Sequence, residues 1–290
     1  MNSKTPIDAQ RPLTDAQRSA LIRLLGDDDP KVHDAVKTRL MGCGPEVVSW
    51  LRPHLVDDDP VLRRHAREIV LHFRRADADA EFLAFCLNQG EDLDLERGVG
   101  LLSQTRYPEA NLEVFSAQLD QMSAELRVRS IAQVAPQQRL LTATHYLFSE
   151  VAFRGDTQYE SDPESCYFNR IMERQIGNPI GVCTVLLLVC RRLGLPVAGI
   201  GLPGHFVCRF QSPTIEVYID CFNQGRFLTK ADCVQYLHAT NHALEEGYLA
   251  PISTRRILMR MCANLQQIYL RLNEEEEAAA VKRYLVALAN

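Results

Sequence analysis

The chain has 290 residues, 46% of them hydrophobic and 24% charged, and a net charge of -5 at pH 7. This is ordinary globular composition, enough for a sizeable core and two or three sub-domains, and it argues against a largely disordered chain. The acidic balance leaves no basic footprint for nucleic acid, and no stretch has the length and apolarity of a membrane span. The leading residues, MNSKTPIDAQRPLTDAQRSAL, lack the apolar centre of a secretory signal, so a cytoplasmic location is expected. The nine cysteines are scattered and odd in number, with no C-x-x-C pair or Cys/His spacing typical of zinc. No disulfide framework, metal or other cofactor is expected, and most thiols should pack as small apolar groups.

In chain order, the first feature is an internal repeat. LIRLLGDDDPKVHDAVKTRL is followed by WLRPHLVDDDPVLRRHAREIV, with DDDP quartets at Asp27–Pro30 and Asp57–Pro60. Asp29 and Asp59 are placed to cap the next helix, with Pro30 and Pro60 at its first position. Paired helices of this kind resemble HEAT-like repeats, which stack by their apolar faces. DADAE at Asp77–Glu81 lacks the glycine and terminal glutamate of a calcium loop and reads as a surface linker. His33, His54, His65 and His72 fall in repeat helices or their ends and read as surface or partly packed. From about Asp77 to Phe153 the apolar spacing is helical, as in NLEVFSAQLDQMSAELRVRSIA and QRLLTATHYLFSEVAF. A polar loop follows, with turn formers at Gly155, Asp156, Asp162 and Pro163.

NPIGVCTVLLLVC, from Asn178 to Cys190, reads as a buried helix. Asn178 is its cap, Pro179 its first residue, and Gly194 and Pro196 close it. The period then changes. PVAGI, HFVCRF and IEVYID are expected strands, the last two joined by QSPT (Gln211–Thr214) as a four-residue hairpin loop. In that register Phe210 faces Ile215, Arg209 meets Glu216, and His205 meets Asp220. Phe206, Cys208 and Phe210 then share an apolar face, while His205, Val207 and Arg209 share the other. The apolar face suits the apolar helix, so a His205 on the other face implies a sheet covered on both sides. GIGLPG (Gly199–Gly204) matches a nucleotide fingerprint in letters only, because a strand follows it and not a helix. The last part, RRILMRMCANLQQIYLRLNEEEEAAAVKRYLVALA, reads as a helical hairpin resembling a TPR-like unit, with Glu274–Glu277 a solvated turn or helix start.

A carboxylate bonded to one ring nitrogen of His205 would fix its tautomer, leaving the other nitrogen to take a proton from a thiol. A helix N-terminus stabilises a thiolate, and Cys183 lies in the first turns of its helix. Cys183, His205 and Asp220 thus satisfy nucleophile, base and orienter logic. Without other information, a cysteine in such an apolar run packs in a core, and Cys190 is read that way.

These residues reach a family resemblance. GNPIGVCTVLLLVCRRLGLPVAGIGLPGHFVCRF and YIDCFNQGRFLT, with YLFSEVAFRG and YESDPESCYFNRIMERQIGNP upstream, resemble the transglutaminase-like superfamily and within it the bacterial SirB-type branch. The resemblance spans roughly Asp92 to Leu237. It implies a papain-like core with the catalytic cysteine at a helix N-terminus and His and Asp on adjacent strands, carried here by Cys183, His205 and Asp220. Members of the branch often have Ser or Ala at the nucleophile; this chain has Cys. The Cys183 amide and a side chain from Gln175 or Asn178 are candidate oxyanion donors.

The expected fold class is α+β and mostly helical. HEAT-like repeats would occupy 1–80, a transglutaminase-like core with a small antiparallel sheet 81–240, and a TPR-like tail 241–290. Two functional classes stand. One is a cysteine-dependent acyl transferase or amide hydrolase. The other is a non-catalytic interaction scaffold or regulatory module, its helical repeats presenting surfaces to a protein or peptide partner.

Overall fold

A computed structural model describes residues 13–88, 90, 93–243 and 245–290; the leading residues read for a signal lie outside these as far as Pro12. The described chain is mostly helical with small sheets, so the α+β class is correct. It divides into two compact units, one ending at Asp77 and one starting at Ala78.

In the first unit, α1 (Asp15–Leu25), α2 (Pro30–Met41), α3 (Val47–Leu51) and the start of α4 (Pro60–Cys86) follow the repeat. Asp29 accepts from the Lys31 amide at 2.9 Å and Asp59 from the Val61 amide at 2.8 Å, so both DDDP quartets cap helices that begin on proline. Leu25, Leu40, Leu51 and Ile69 form the centre of this unit's core. Two expectations need correction. Asp77–Glu81 is not a linker but lies inside α4, because Ala78 and Phe82 continue the buried helical spacing begun at Phe73. His65 is buried, its ring 4.3 Å from that of His33.

The second unit contains α5 (Leu95–Arg106), α6 (Leu112–Arg129), α7 (Pro136–His145), which runs into a π turn at Tyr146–Glu150, and α8 (Phe168–Arg174). These surround α9 (Pro179–Leu193), in which every residue from Pro179 to Cys190 is buried. A helix apolar all round has no face to give to water, so it becomes the axis of the core. Two-residue strands β1 (Arg154–Gly155) and β2 (Ile176–Gly177) pair in parallel near its start. The main sheet is antiparallel in the order β3 (Val197–Ile200), β4 (Val207–Gln211), β5 (Glu216–Asp220), β6 (Arg226–Leu228).

One face of this sheet, with Phe206, Cys208, Phe210 and Ile219, joins the core of α9; the other, with Val207 and Tyr218, packs on Cys233 and Leu237 of α10 (Lys230–Ala239). The sheet is therefore covered on both sides, as the alternation implies. The register differs from the expected one. Gln211 pairs with Glu216 and Cys208 with Ile219, so the loop is Ser212–Ile215. The Ser212 amide closes it on the Ile215 carbonyl at 2.8 Å. The slip is by an even number of positions, so every side chain keeps its face while its partner changes. The C-terminal hairpin is α11 (Thr254–Arg271) and α12 (Glu275–Ala289); Leu258, Met261 and Leu265 of α11 share the core of α9.

Gly155 supports the site from below. A Cβ built there would lie 2.4 Å from the Phe222 ring, and the Gly155 amide bonds the Phe222 carbonyl at 3.0 Å. Gly155→Ala is expected to destabilise the protein by about 1–3 kcal/mol through overpacking, read as a lower denaturation midpoint. An unchanged midpoint would show that the ring moves aside freely.

Candidate active site

His205 sits in the turn between β3 and β4, its amide bonded to the Leu202 carbonyl at 3.2 Å. Arg260 of α11 fixes this turn by donating to the carbonyls of Leu202 and His205, the latter at 2.7 Å. His205 Nε2 lies 3.0 Å from Asp220 Oδ1 at the end of β5. The expected pair therefore forms, but diagonally across the hairpin and not face to face, since the register that pairs Cys208 with Ile219 brings Asp220 level with Val207. Asn223 completes the carboxylate, its amide donating to Oδ1 at 3.2 Å and its Nδ2 to Oδ2 at 2.8 Å. Burial raises the Asp220 pKa, but the bond from His205, its positive field and the Asn223 donors outweigh it and leave the carboxyl below its ordinary value. The rings of Phe222 and Tyr236 flank His205 at 5.9 and 5.7 Å.

Cys183 is placed differently. It is the fifth residue of α9 and fully buried, with Sγ donating to the Phe206 carbonyl at 3.5 Å. No hydrogen bond joins it to His205 among the described residues. Beside that carbonyl its company is sulfur: Cys183, Cys208 and Cys221 have their Sγ atoms within 4.8 Å of one another. Burial opposes ionisation of all three. Cys208 and Cys221 are pushed well up. Cys183 is pulled down to about 5, because the two neighbouring thiols and the field of His205 outweigh its burial.

Two clefts meet at His205. One, of about 450 Å³, is lined by Pro179, Ile180, Tyr159, Arg260, Asn264 and Gln267 among others. The second, of about 550 Å³, is lined by Asp220, Phe222, Asn223 and Tyr236 among others. Cys183 lines neither. The α9 residues that reach the first cleft are Pro179 and Ile180, and Cys183 lies three residues further, about 4.5 Å along the axis.

The oxyanion candidates are engaged elsewhere or set apart from the two clefts. The Val182 amide already bonds the Asn178 carbonyl at 3.1 Å, so the Cys183 amide lies past the free donors of the helix start, inside the ladder. Asn178 is buried and engaged at both ends of its amide. Its Oδ1 accepts from the Gly181 amide at 2.8 Å and its Nδ2 donates to Cys166 Sγ at 3.0 Å. Gln175 is exposed in a left-handed conformation at the end of α8 and lines neither cleft. Arg260, Tyr236 and the two hydrogen bonds from Asn223 lie outside the expectations from sequence. Asn223 lies within YIDCFNQGRFLT, one of the stretches that carry the family resemblance, whereas Arg260 and Tyr236 carry no local signal.

With this geometry in view, the comparisons with known proteins are decisive for family. A family model described as the transglutaminase-like superfamily matches residues 113–263, just over half of the chain. The chain belongs to the transglutaminase-like superfamily. A UPF0162 protein of Xylella fastidiosa is 28% identical over 195 residues, 65% of this chain and 69% of that one. A UPF0162 protein of Pseudomonas aeruginosa is 30% identical over 124 residues, 42% of this chain and 45% of the relative. The human F-box only protein 21 is 28% identical over 144 residues, 47% of this chain but 22% of that protein. No solved structure matches. The transglutaminase-like core supports cysteine-based catalysis as a fold. In this superfamily member the His–Asp pair is assembled, while the helix start beside it presents proline and isoleucine to the cleft.

Proposed function

We propose that this chain uses its transglutaminase-like core as a non-catalytic binding module for a protein or peptide partner. The observation that carries the reading is the position of Cys183. A nucleophile must reach its acyl carbon, and this thiol is fully buried, bonded to the Phe206 carbonyl and absent from both clefts at His205. The side chains that stand in its place, Pro179 and Ile180, have no nucleophilic atom. The cleft wall offers Asn264 and Gln267 amides, which suit the backbone of an extended peptide. On their shared motifs we place the chain in the SirB-type branch. We read the N-terminal helices as HEAT-like and α11–α12 as TPR-like, further surfaces for a cytoplasmic protein partner.

A second reading keeps the thiol enzyme. It is favoured by the lowered pKa of Cys183 and requires the first turn of α9 to open. One experiment separates the two: alkylation of Cys183 across pH in the metal-free, reduced protein, read by mass spectrometry. The binding module predicts modification no faster than unfolding allows, with no change in His205→Ala. Rapid modification at neutral pH that collapses in His205→Ala would restore the Cys183, His205, Asp220 triad.

A further inference from the structure

We propose that Cys183, Cys208 and Cys221 form a buried three-thiolate site for Cu(I). The three residues come from α9, β4 and the turn that follows β5, and their sulfurs converge there. A metal about 2.3 Å from each of three sulfurs in one plane sets the sulfurs about 4.0 Å apart. Cys208 and Cys221 are 3.9 Å apart, and all three sulfurs lie within 4.8 Å of each other, so closure needs shifts of under an ångström. Cys190 and Cys262 are equally buried but make no sulfur contact among the described residues, which is what packing alone looks like.

The donor set selects the ion. Thiolates are soft ligands, suited to Cu(I), Zn(II) or iron–sulfur clusters. No fourth imidazole or carboxylate joins the group among the described residues, and all three cysteines are fully buried, away from the water that would complete a four-coordinate Zn(II), which favours a three-coordinate monovalent ion. Binding breaks three S–H bonds, forms three Cu–S bonds and releases the three protons to solvent, with no change of oxidation state. The negative charge that results lies within the field of His205 and beside the turn that Arg260 holds, with Asp220 opposing it. The ligand spacing is invisible in sequence because each cysteine sits on a different element.

The test uses the full chain, reduced and anaerobic, titrated with Cu(I) held by a colorimetric chelator. The wild type should withdraw one equivalent, with three sulfurs at about 2.3 Å by X-ray absorption. Cys208→Ala and Cys221→Ala should each weaken binding by more than about 100-fold, beyond what loss of a merely supporting group does. Cys190→Ala should bind as the wild type. Circular dichroism checks folding, and the two alanine variants stand in for one another if either fails to fold. No withdrawal by the wild type, withdrawal by both ligand variants as strong as the wild type's, or uptake of Zn(II) with refusal of Cu(I) would each overturn the proposal. The outcome is independent of the binding-module reading, since alkylation is measured without metal.

Discussion

Arg255→Met is expected to destabilise the protein by about 3–5 kcal/mol, the range for removing one partner of a buried charged network. Arg255 at the start of α11 is 8% exposed. Its Nε donates to the Gly90 carbonyl at 3.0 Å, its Nη1 to the carbonyls of Cys86 at 3.3 Å and Leu288 at 2.9 Å, and its Nη2 to that of Asn88. None of these is a carboxylate. The charge is balanced by the negative ends of two helices, since Cys86 ends α4 and Leu288 lies in the last turn of α12. Methionine fills similar volume but strands four carbonyls for which no other donor is found among the described residues. Arg255→Lys should recover only part of the loss, because one ammonium cannot reach carbonyls spread around a planar fork. Urea denaturation at unchanged m reads the effect, and a loss below about 1 kcal/mol would mean that water replaces the guanidinium.

Asp220→Ala should lower stability at neutral pH by about 1–3 kcal/mol, since it leaves the largely buried His205 Nε2 without its acceptor, while the donors of the exposed Asn223 turn to water. The effect has a pH signature. Asp220 titrates below the ordinary aspartate value of 3.8 in the folded protein. In that acid range the unfolded chain binds the proton more readily, so stability rises with pH. The contribution is fully present above the ordinary value and is lost as pH falls through the depressed folded one. The wild type should therefore lose its margin over Asp220→Ala below about pH 4. A margin that stays constant down to pH 2 would show that the carboxylate is not held by its charge.

The sequence is most informative where chemistry is local. Asp29, Asp59 and Asn178 cap helices because each precedes proline, and three of the four strands of the main sheet follow from alternation. β6 was missed because three residues carry no period. The hairpin register was off by an even step because alternation fixes which face a side chain takes, not its partner. His205 and Asp220 still meet, since a diagonal contact lies within reach of an imidazole. The depth of Cys183 was legible in principle. A cap at Asn178 makes Cys183 the fifth helical residue, already beyond the open end of the helix. Arg255 and Arg260 depend on carbonyls far away in sequence, which no local pattern encodes.

Proline at the first position of α9 has a consequence for any anion that enters the cleft. Pro179 has no amide hydrogen, and the Gly181 and Val182 amides are taken by the side chain and carbonyl of Asn178. Ile180 is left as the single first-turn amide without an acceptor among the described residues. The helix therefore offers charge attraction without chelation: a carboxylate or a tetrahedral oxygen would meet a positive field but one N–H to hold it. Such an end can orient a passing acyl group, and it lacks the paired donors that would trap one halfway through reaction.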